Sequence, residues 1–348
     1  MPEAFQSRGA DLAWTGGQYS LLRAIVAGFA AVVLACAYVE ADGAAPFTAS
    51  LVVAAMAVAL GAGGRPMAAA FAILLPYALP DFLDTTAARL LYLWTTLHFF
   101  LPAAPYGSVA ALAREDPDGG WWMPTWYGAV WRAVFVAALL VFGAQQWWSG
   151  SLYVAGPLVA AGLLGMFART EPAAWMLSLA VQAFSVYQGD GSIGGLLLFH
   201  LLTLQPAWVA RSPGREPSTV FYDGNCALCH GAVRFLVAED REPARFRLAP
   251  LEGPTFAATV PESVRVHRPD SIVVTTGSDV LLRGDAVVAI LDGLGGMWRL
   301  VGGLLRLLPR ALVDRSYDAV AARRLRWFGR KQEACPLMTE TQRGRIDP

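Results

Sequence analysis

Val220-Phe221-Tyr222-Asp223-Gly224-Asn225-Cys226-Ala227-Leu228-Cys229-His230 is the stretch on which the reading of this chain turns. A short β-type run, Thr219 to Tyr222, leads into Asp223-Gly224, where Gly224 suits a tight turn. A helix is expected over Ala227 to Ala238, because Leu228, Ala232, Phe235 and Leu236 recur at helical spacing. The cysteines therefore stand where a strand passes into a helix. A thiol there meets the positive end of the helix dipole and unpaired backbone N–H groups, which favour thiolate, the nucleophilic form. Residues three apart share a side in the first turn, so the two sulfurs can form a disulfide or attack in sequence. Asp223 suits a helix cap and, as an alternative, a proton acceptor for a buried thiol.

Other chemistries use the same letters. CxxCH is also the attachment pattern for c-type haem. A CxxC pair is half of a zinc site, for which Cys335 and either His230 or His267 would have to supply the rest. The strand-to-helix context speaks against haem, so neither haem nor zinc is expected, and no cofactor is required. His230 reads first as a surface residue of its helix and second as a thiolate partner. Cys335 reads equally as a third redox thiol or an inert one.

Working outward, Arg245 to Leu248 alternates like a strand, Ser271 to Thr275 is β-branched, and Val280 to Leu282 pairs with it across Gly277-Ser278. Helices are expected over Asp285 to Leu291, 297–308 and 310–328, the last two divided by Pro309. Strand, helix, strand, hairpin and helices make a small α/β domain with one mixed sheet.

The run YDGNCALCH resembles the DCC family of thioredoxin-like thiol-disulfide oxidoreductases, whose signature is YDGxCxxC. Phe246 to Leu251, Asp270 to Val274, Leu282 to Ala286, Arg326 to Arg330 and Ala334 to Leu337 resemble its later motifs, so the likeness covers roughly 219–340. It implies Cys226 and Cys229 as the catalytic pair, with Asp223 beside them and Tyr222, Gly224, His230 and Cys335 in support. Thioredoxins also set a cis-proline against the CxxC. Here Asp270-Ser271 occupies the matching point and Pro269 comes early, a departure that argues against general disulfide reduction.

The rest of the chain is different in kind. It is 55% hydrophobic and 16% charged, with mean hydropathy +0.44, against roughly 25% charged in ordinary soluble domains. The deficit falls between Ser20 and Val209. Eight apolar runs can be read: 20–39, 47–62, 66–83, 89–103, 129–146, 151–168, 172–187 and 192–209. The expected architecture is an N-terminal all-α transmembrane bundle of about eight helices plus a C-terminal α/β thioredoxin-like domain. Its segments are a tail at 1–19, the bundle at 20–209, a Pro- and Ser-rich linker at 210–218 (RSPGREPS from Arg211) and the soluble domain at 219–348.

Arg8, Arg65, Arg114, Arg169 and Arg211 fall on one set of loops. Glu40, Asp42, Asp81, Asp84 and Asp190 fall on the other, and only Arg89 breaks the pattern. By the positive-inside rule both termini are expected in the cytoplasm of a bacterial-type inner membrane. The mixed charges of the first 20 residues argue against a removable signal peptide. Ser20-Leu21-Leu22-Arg23, the loop with Trp121-Trp122-Met123-Pro124, and Leu197 to Trp208 are similar to the HTTM family, related to vitamin K-dependent carboxylases. Those relatives use a lysine base. Lys331, outside the bundle, is this chain's sole lysine among 27 basic residues, so carboxylation is not expected.

Polar residues inside apolar spans are costly and mark functional candidates. Arg23 and Arg132 read as span-end residues that snorkel. His98 and His200 read as hydrogen-bonding to neighbouring helices. The alternative for all four is a quinone or other lipid ligand. Net charge is zero, so nucleic acid is not an expected partner, whereas the bilayer and a protein or small-molecule thiol or disulfide are. The expected function is membrane-anchored thiol-disulfide exchange that passes electrons to or from a lipid-soluble partner. The alternative is a non-catalytic carrier or lipid-binding protein whose cysteines sense redox state or bind metal. From Gly295 to Lys331, nine basic residues stand against Asp314 and Asp318 beside a leucine-rich run, a pattern that suits an anionic leaflet or packing on the domain's own sheet.

Overall fold

The computed structural model describes residues 14–40, 46–78, 86–112, 121–189, 192–212, 218–240, 244–266, 271–277, 279–330 and 343–347. Cys335, His267, Pro269, Asp270, Lys331, Arg114, Asp190 and most of the expected linker lie outside them. The chain divides into two compact units, one of Tyr19–Ala110 with Trp122–Gln205, the other of Met1–Gln18, Ala111–Trp121 and Pro206–Pro348.

The first unit is helical. Each apolar run holds a helix: α1 (Gly16–Glu40), α2 (Pro46–Leu60), α3 (Gly64–Ala78), α4 (Thr86–Phe100), α5 (Thr125–Trp148), α6 (Leu152–Gly165), α7 (Glu171–Tyr187) and α8 (Ile193–Thr203). The first turn of α1 belongs to the other unit. Among the described residues, two stretches are long and apolar enough to cross a membrane, Gly16–Val39 and Thr125–Trp148, with mean hydropathies of 2.2 and 1.8. Small residues let α5 and α6 approach closely. A Cβ at Gly162 would stand 2.9 Å from Leu140, and one at Gly143 would stand 2.8 Å from Val159.

The second unit carries β1 (Ser218–Tyr222), α9 (Ala227–Glu239), β2 (Phe246–Pro250), α10 (Pro254–Thr259), α11 (Glu262–Val266), β3 (Val273–Thr276), β4 (Asp279–Leu282), α12 (Arg283–Leu294), α13 (Gly296–Arg306) and α14 (Arg310–Phe328). Sheet order is β2-β1-β3-β4. β1 runs parallel to β2 in the register Val220↔Leu248 and antiparallel to β3 in the register Val220↔Val274. β3 and β4 form the expected hairpin, and Gly277 takes φ +57° at its turn. The sheet is mixed because α9 supplies the crossover that a parallel pair requires.

Alternation along β1 divides the core. Val220 and Tyr222 pack with Val233, Leu236, Phe246, Leu248 and Ile290 on one face. Phe221 packs with Ala249, Phe256, Val260 and Val273 on the other. Fully burying each such side chain contributes about 1.5–3 kcal/mol. The sequence pattern gave no sign of α10 and α11, whose few turns carry no long periodicity. The segment around Ile346 adds a parallel bridge beside β2, with Leu248 N–H donating to Arg345 O at 2.9 Å and Asp347 N–H to Leu248 O at 2.7 Å.

Candidate active site at the dithiol turn

β1 ends at Tyr222, buried and edge-on to the His230 ring, and the chain turns through Asp223 to Asn225. Asp223 does not cap the helix. Its carboxylate accepts Asn225 N–H at 2.9 Å, closing the turn on itself, and receives the Arg324 guanidinium at 2.8 Å. Arg324 comes from α14, about a hundred positions away, and its side chain is only 8% exposed. Gly224 does not have positive φ, and a Cβ there would meet nothing within 4 Å. The turn therefore does not need glycine's freedom, in contrast to the reading from sequence.

The cap of α9 is Cys226 itself. Its backbone is extended and its sulfur accepts Cys229 N–H at 3.4 Å. A sulfur in that place takes one of the helix's orphan N–H groups and sits at the positive end of the dipole. Cys226 is fully buried, whereas Cys229 is partly exposed. Burial pushes the Cys229 thiol up to about 12, the neighbouring Cys226 sulfur adds to the rise, and Arg324 opposes it. Cys229 is thus a thiol at neutral pH, while the Cys226 sulfur holds the cap position.

The cover over Cys226 is the chain just after α14. Gly329 O accepts Ala227 N–H at 3.3 Å, and Arg330 forms an antiparallel bridge with Cys226. Gly329 permits this by taking φ +77° and ψ −174°.

His230 was expected on the helix surface. It is buried, 4% exposed, and its Nε2–H donates to Gly224 O at 2.8 Å, so it pins the turn. The buried stripe of α9 runs through Cys226, His230, Val233 and Leu236. The stripe expected through Leu228 and Ala232 is half-buried, because Cys226 and His230, read as reactive or polar, are core residues. At the far end of α9, Glu239 is 1% exposed. Its carboxylate accepts from Thr15 Oγ1, from Gly17 N–H at 2.7 Å and from Trp298 Nε1–H at 2.6 Å. No local pattern announces Glu239 or Arg324, since both work through partners distant in the chain.

In the helical unit, Arg23 is 1% exposed and does not snorkel. His98 Nδ1 bonds the Tyr19 hydroxyl, and the His98 ring stacks on Trp94 at 5.4 Å. His200 bonds Ser178 at 3.2 Å and Leu196 O at 3.0 Å. Arg132 pairs with Glu171 at 3.0 Å, the carboxylate side chain being 3% exposed. Arg23 and His98 line one small cavity, and Arg132 and His200 are not part of its lining. Among the described residues no three His, Cys, Asp or Glu side chains cluster to hold a metal.

A model of the DCC1-like thiol-disulfide oxidoreductases matches residues 220–330, the span from the dithiol strand to the cover over Cys226. The "Uncharacterized protein YuxK" of Bacillus subtilis (strain 168) is 30% identical over 130 residues, which is 37% of this chain and 93% of that protein. No solved structure matches.

Proposed function

The chain belongs, through residues 220–330, to the DCC1-like thiol-disulfide oxidoreductase family, and on that premise we propose that it is a membrane-anchored dithiol oxidoreductase whose nucleophile is Cys226. The observation that carries the reading is the Cys226 sulfur at the helix cap beside a Cys229 thiol that keeps its proton. In the proposed cycle the Cys226 thiolate attacks a substrate disulfide, forming a mixed disulfide and releasing one substrate thiolate. Cys229 then gives up its proton to the substrate thiolate released in the first step and attacks the Cys226 sulfur. The internal disulfide forms, the second substrate thiolate leaves, and two electrons have passed from the dithiol to the substrate. Reversal oxidises a substrate dithiol. Asp223 acts here by holding the turn with Arg324 and Asn225.

Membrane anchoring is supported by the character of the helical unit. The apolar windows of Gly16–Val39 and Thr125–Trp148 are only 44% and 28% buried within the molecule. Val32, Val53, Ile73, Phe100 and Val141 are exposed. Such faces suit lipid better than water. In this reading the other apolar helices also lie in the bilayer, both termini are cytoplasmic by arginine placement, and the regenerating partner is lipid-soluble, such as a quinone. The exposed leucines Leu304 of α13, Leu307 just after it and Leu312 of α14, with the exposed Arg315 and Arg323 of α14, rest on the anionic leaflet in this reading. The complete burial of Cys226 also favours a second reading, a non-catalytic redox sensor.

Turnover of a model disulfide by the full chain in detergent separates the two. Cys226→Ser should abolish exchange and Cys229→Ser should accumulate mixed disulfides on Cys226. Full turnover in both single variants would overturn the dithiol mechanism. Stoichiometric oxidation without turnover would favour the sensor.

A further inference from the structure

At one end of the helical unit, buried Arg23 and exposed Arg65 meet a small cavity whose lining, among the described residues, holds no carboxylate, and we propose that this cavity binds a phosphate-type oxyanion. Arg23 in the second turn of α1 is 1% exposed. Among the described residues its guanidinium has one protein acceptor, the Ala59 carbonyl, 3.4 Å from Nε. Arg65 at the start of α3 is exposed and, among the described residues, its guanidinium donates to the Leu101 carbonyl at 3.3 and 3.4 Å. Both line a cavity of about 30 Å³ together with His98 and Ser108.

A buried guanidinium stays charged, and a buried charge without a counter-charge is strongly disfavoured. A ligand anion removes that penalty. The surroundings are shaped for one. Gly61 takes φ +67°, and a Cβ there would fall 2.7 Å from Arg23 Cζ and 2.5 Å from Ser108 Cβ. The backbone thus lies against the guanidinium more closely than any side chain would allow. α3 begins at Gly64, so its positive dipole end adds to the same region. At about 10–15 Å³ per water, the volume of about 30 Å³ holds two or three waters, room for the inward-facing oxygens of a phosphate whose remainder stays at the cavity mouth. The forked guanidinium is the side chain that matches such a group.

The cavity is bordered by the α2–α3 turn and the Leu101–Ser108 segment that follows α4. If the unit spans a bilayer, helix ends stand at headgroup depth, so the phosphate has two sources, a lipid headgroup or a soluble phosphate ester. The inference is independent of the dithiol chemistry.

The test uses the delipidated full chain in a neutral detergent, with thermal unfolding followed against inorganic phosphate, glycerol 3-phosphate and dioctanoyl phosphatidic acid. Dioctanoylglycerol and chloride at equal ionic strength are the controls. A saturable rise in Tm with at least one phosphate probe, absent in the controls, is expected. Response to phosphatidic acid alone assigns the lipid source, and an equal response to glycerol 3-phosphate assigns the soluble one. Arg65→Gln and Gly61→Ala should weaken binding at least tenfold. Gly28→Ala, where a Cβ meets nothing within 4 Å, should leave it unchanged. Arg23→Gln is not needed for the decision, which rests on Arg65→Gln and Gly61→Ala together. No saturable response to any phosphate probe, or folded Arg65→Gln and Gly61→Ala proteins that bind as wild type does, would overturn the proposal.

Discussion

Replacing Gly329 by alanine should expose Cys226. Gly329 holds φ +77° and ψ −174°, a region that is essentially glycine's alone and costs another residue of order 1–3 kcal/mol. The closed cover is held by the 3.3 Å bond from Ala227 N–H to Gly329 O and the bridge between Cys226 and Arg330, a net backbone bond contributing about 0.5–1.5 kcal/mol. The strain is therefore as large as the bond that keeps the cover down. If reagents reach Cys226 only when the cover lifts, the open population sets the rate. At tenfold per 1.4 kcal/mol, the substitution should accelerate alkylation of Cys226 roughly 5- to 150-fold. The assay is iodoacetamide labelling of the reduced full chain, read by peptide mass spectrometry in a Cys229→Ser background. Gly303→Ala, which meets nothing within 4 Å, is the control. An unchanged Cys226 rate in a folded Gly329→Ala protein would refute the idea that Gly329–Arg330 gates the thiol.

Removing Glu239 by Glu239→Ala strands the donors of Thr15, Gly17 and Trp298 and should cost about 1–3 kcal/mol for each donor left buried without a partner, measured by chemical denaturation, with Glu239→Gln losing less. The folded-state thiol of Cys229 stands near 12, above its ordinary 9, so the reduced fold binds the proton more tightly than the unfolded chain. Reduced-state stability should therefore fall as pH rises from about 9 to 12, and this slope should vanish in the disulfide form, which has no thiol to titrate. Gly162→Leu should overpack the α5–α6 crossing and lower stability by about 1–3 kcal/mol, visible as a reduced Tm in detergent. A photo-crosslinker at position 307 should label lipid in anionic nanodiscs and lose that labelling as salt rises; labelling indifferent to lipid charge would count against leaflet docking.

What the sequence made legible was local. Apolar runs marked the helices of the first unit, and alternation at Arg245 to Leu248 marked β2. The CxxC turn stood out because strand, turn and helix are contiguous there. What it hid was long-range or inverted. Arg324 meets Asp223 and Glu239 meets Gly17 across distances that leave no periodic trace. The face of α9 was misjudged because Cys226 and His230 look polar by letter and are core by position. Gly224 looked like an obligatory turn glycine, yet the obligatory glycine of the site is Gly329, whose role depends on a neighbour a hundred residues earlier.

The geometry of the pair also bears on when its second proton leaves. Burial is the largest influence on Cys229, and the adjacent Cys226 sulfur pushes in the same direction as a hydrogen-bond partner and as a like charge. Two sulfurs so close cannot both carry charge cheaply. Arg324 eases this, but it is already bound to Asp223 at 2.8 Å, and the rise persists. The reduced site therefore resists ionising both thiols at once, and Cys229 is the one that keeps its proton. Once Cys226 is consumed in a mixed disulfide its like charge is gone, and that part of the restraint on Cys229 disappears with it. Burial remains, and Arg324 now acts on Cys229 without an opposing sulfur anion. Formation of the first bond thus lowers the cost of ionising the second thiol, so resolution follows substrate capture instead of preceding it. A Cys226→Ser protein removes the same like charge permanently. Its Cys229 should accordingly titrate below the wild-type value of about 12, measured by thiolate absorbance. A value unmoved or raised would show that burial alone sets Cys229 and that capture does nothing to release it.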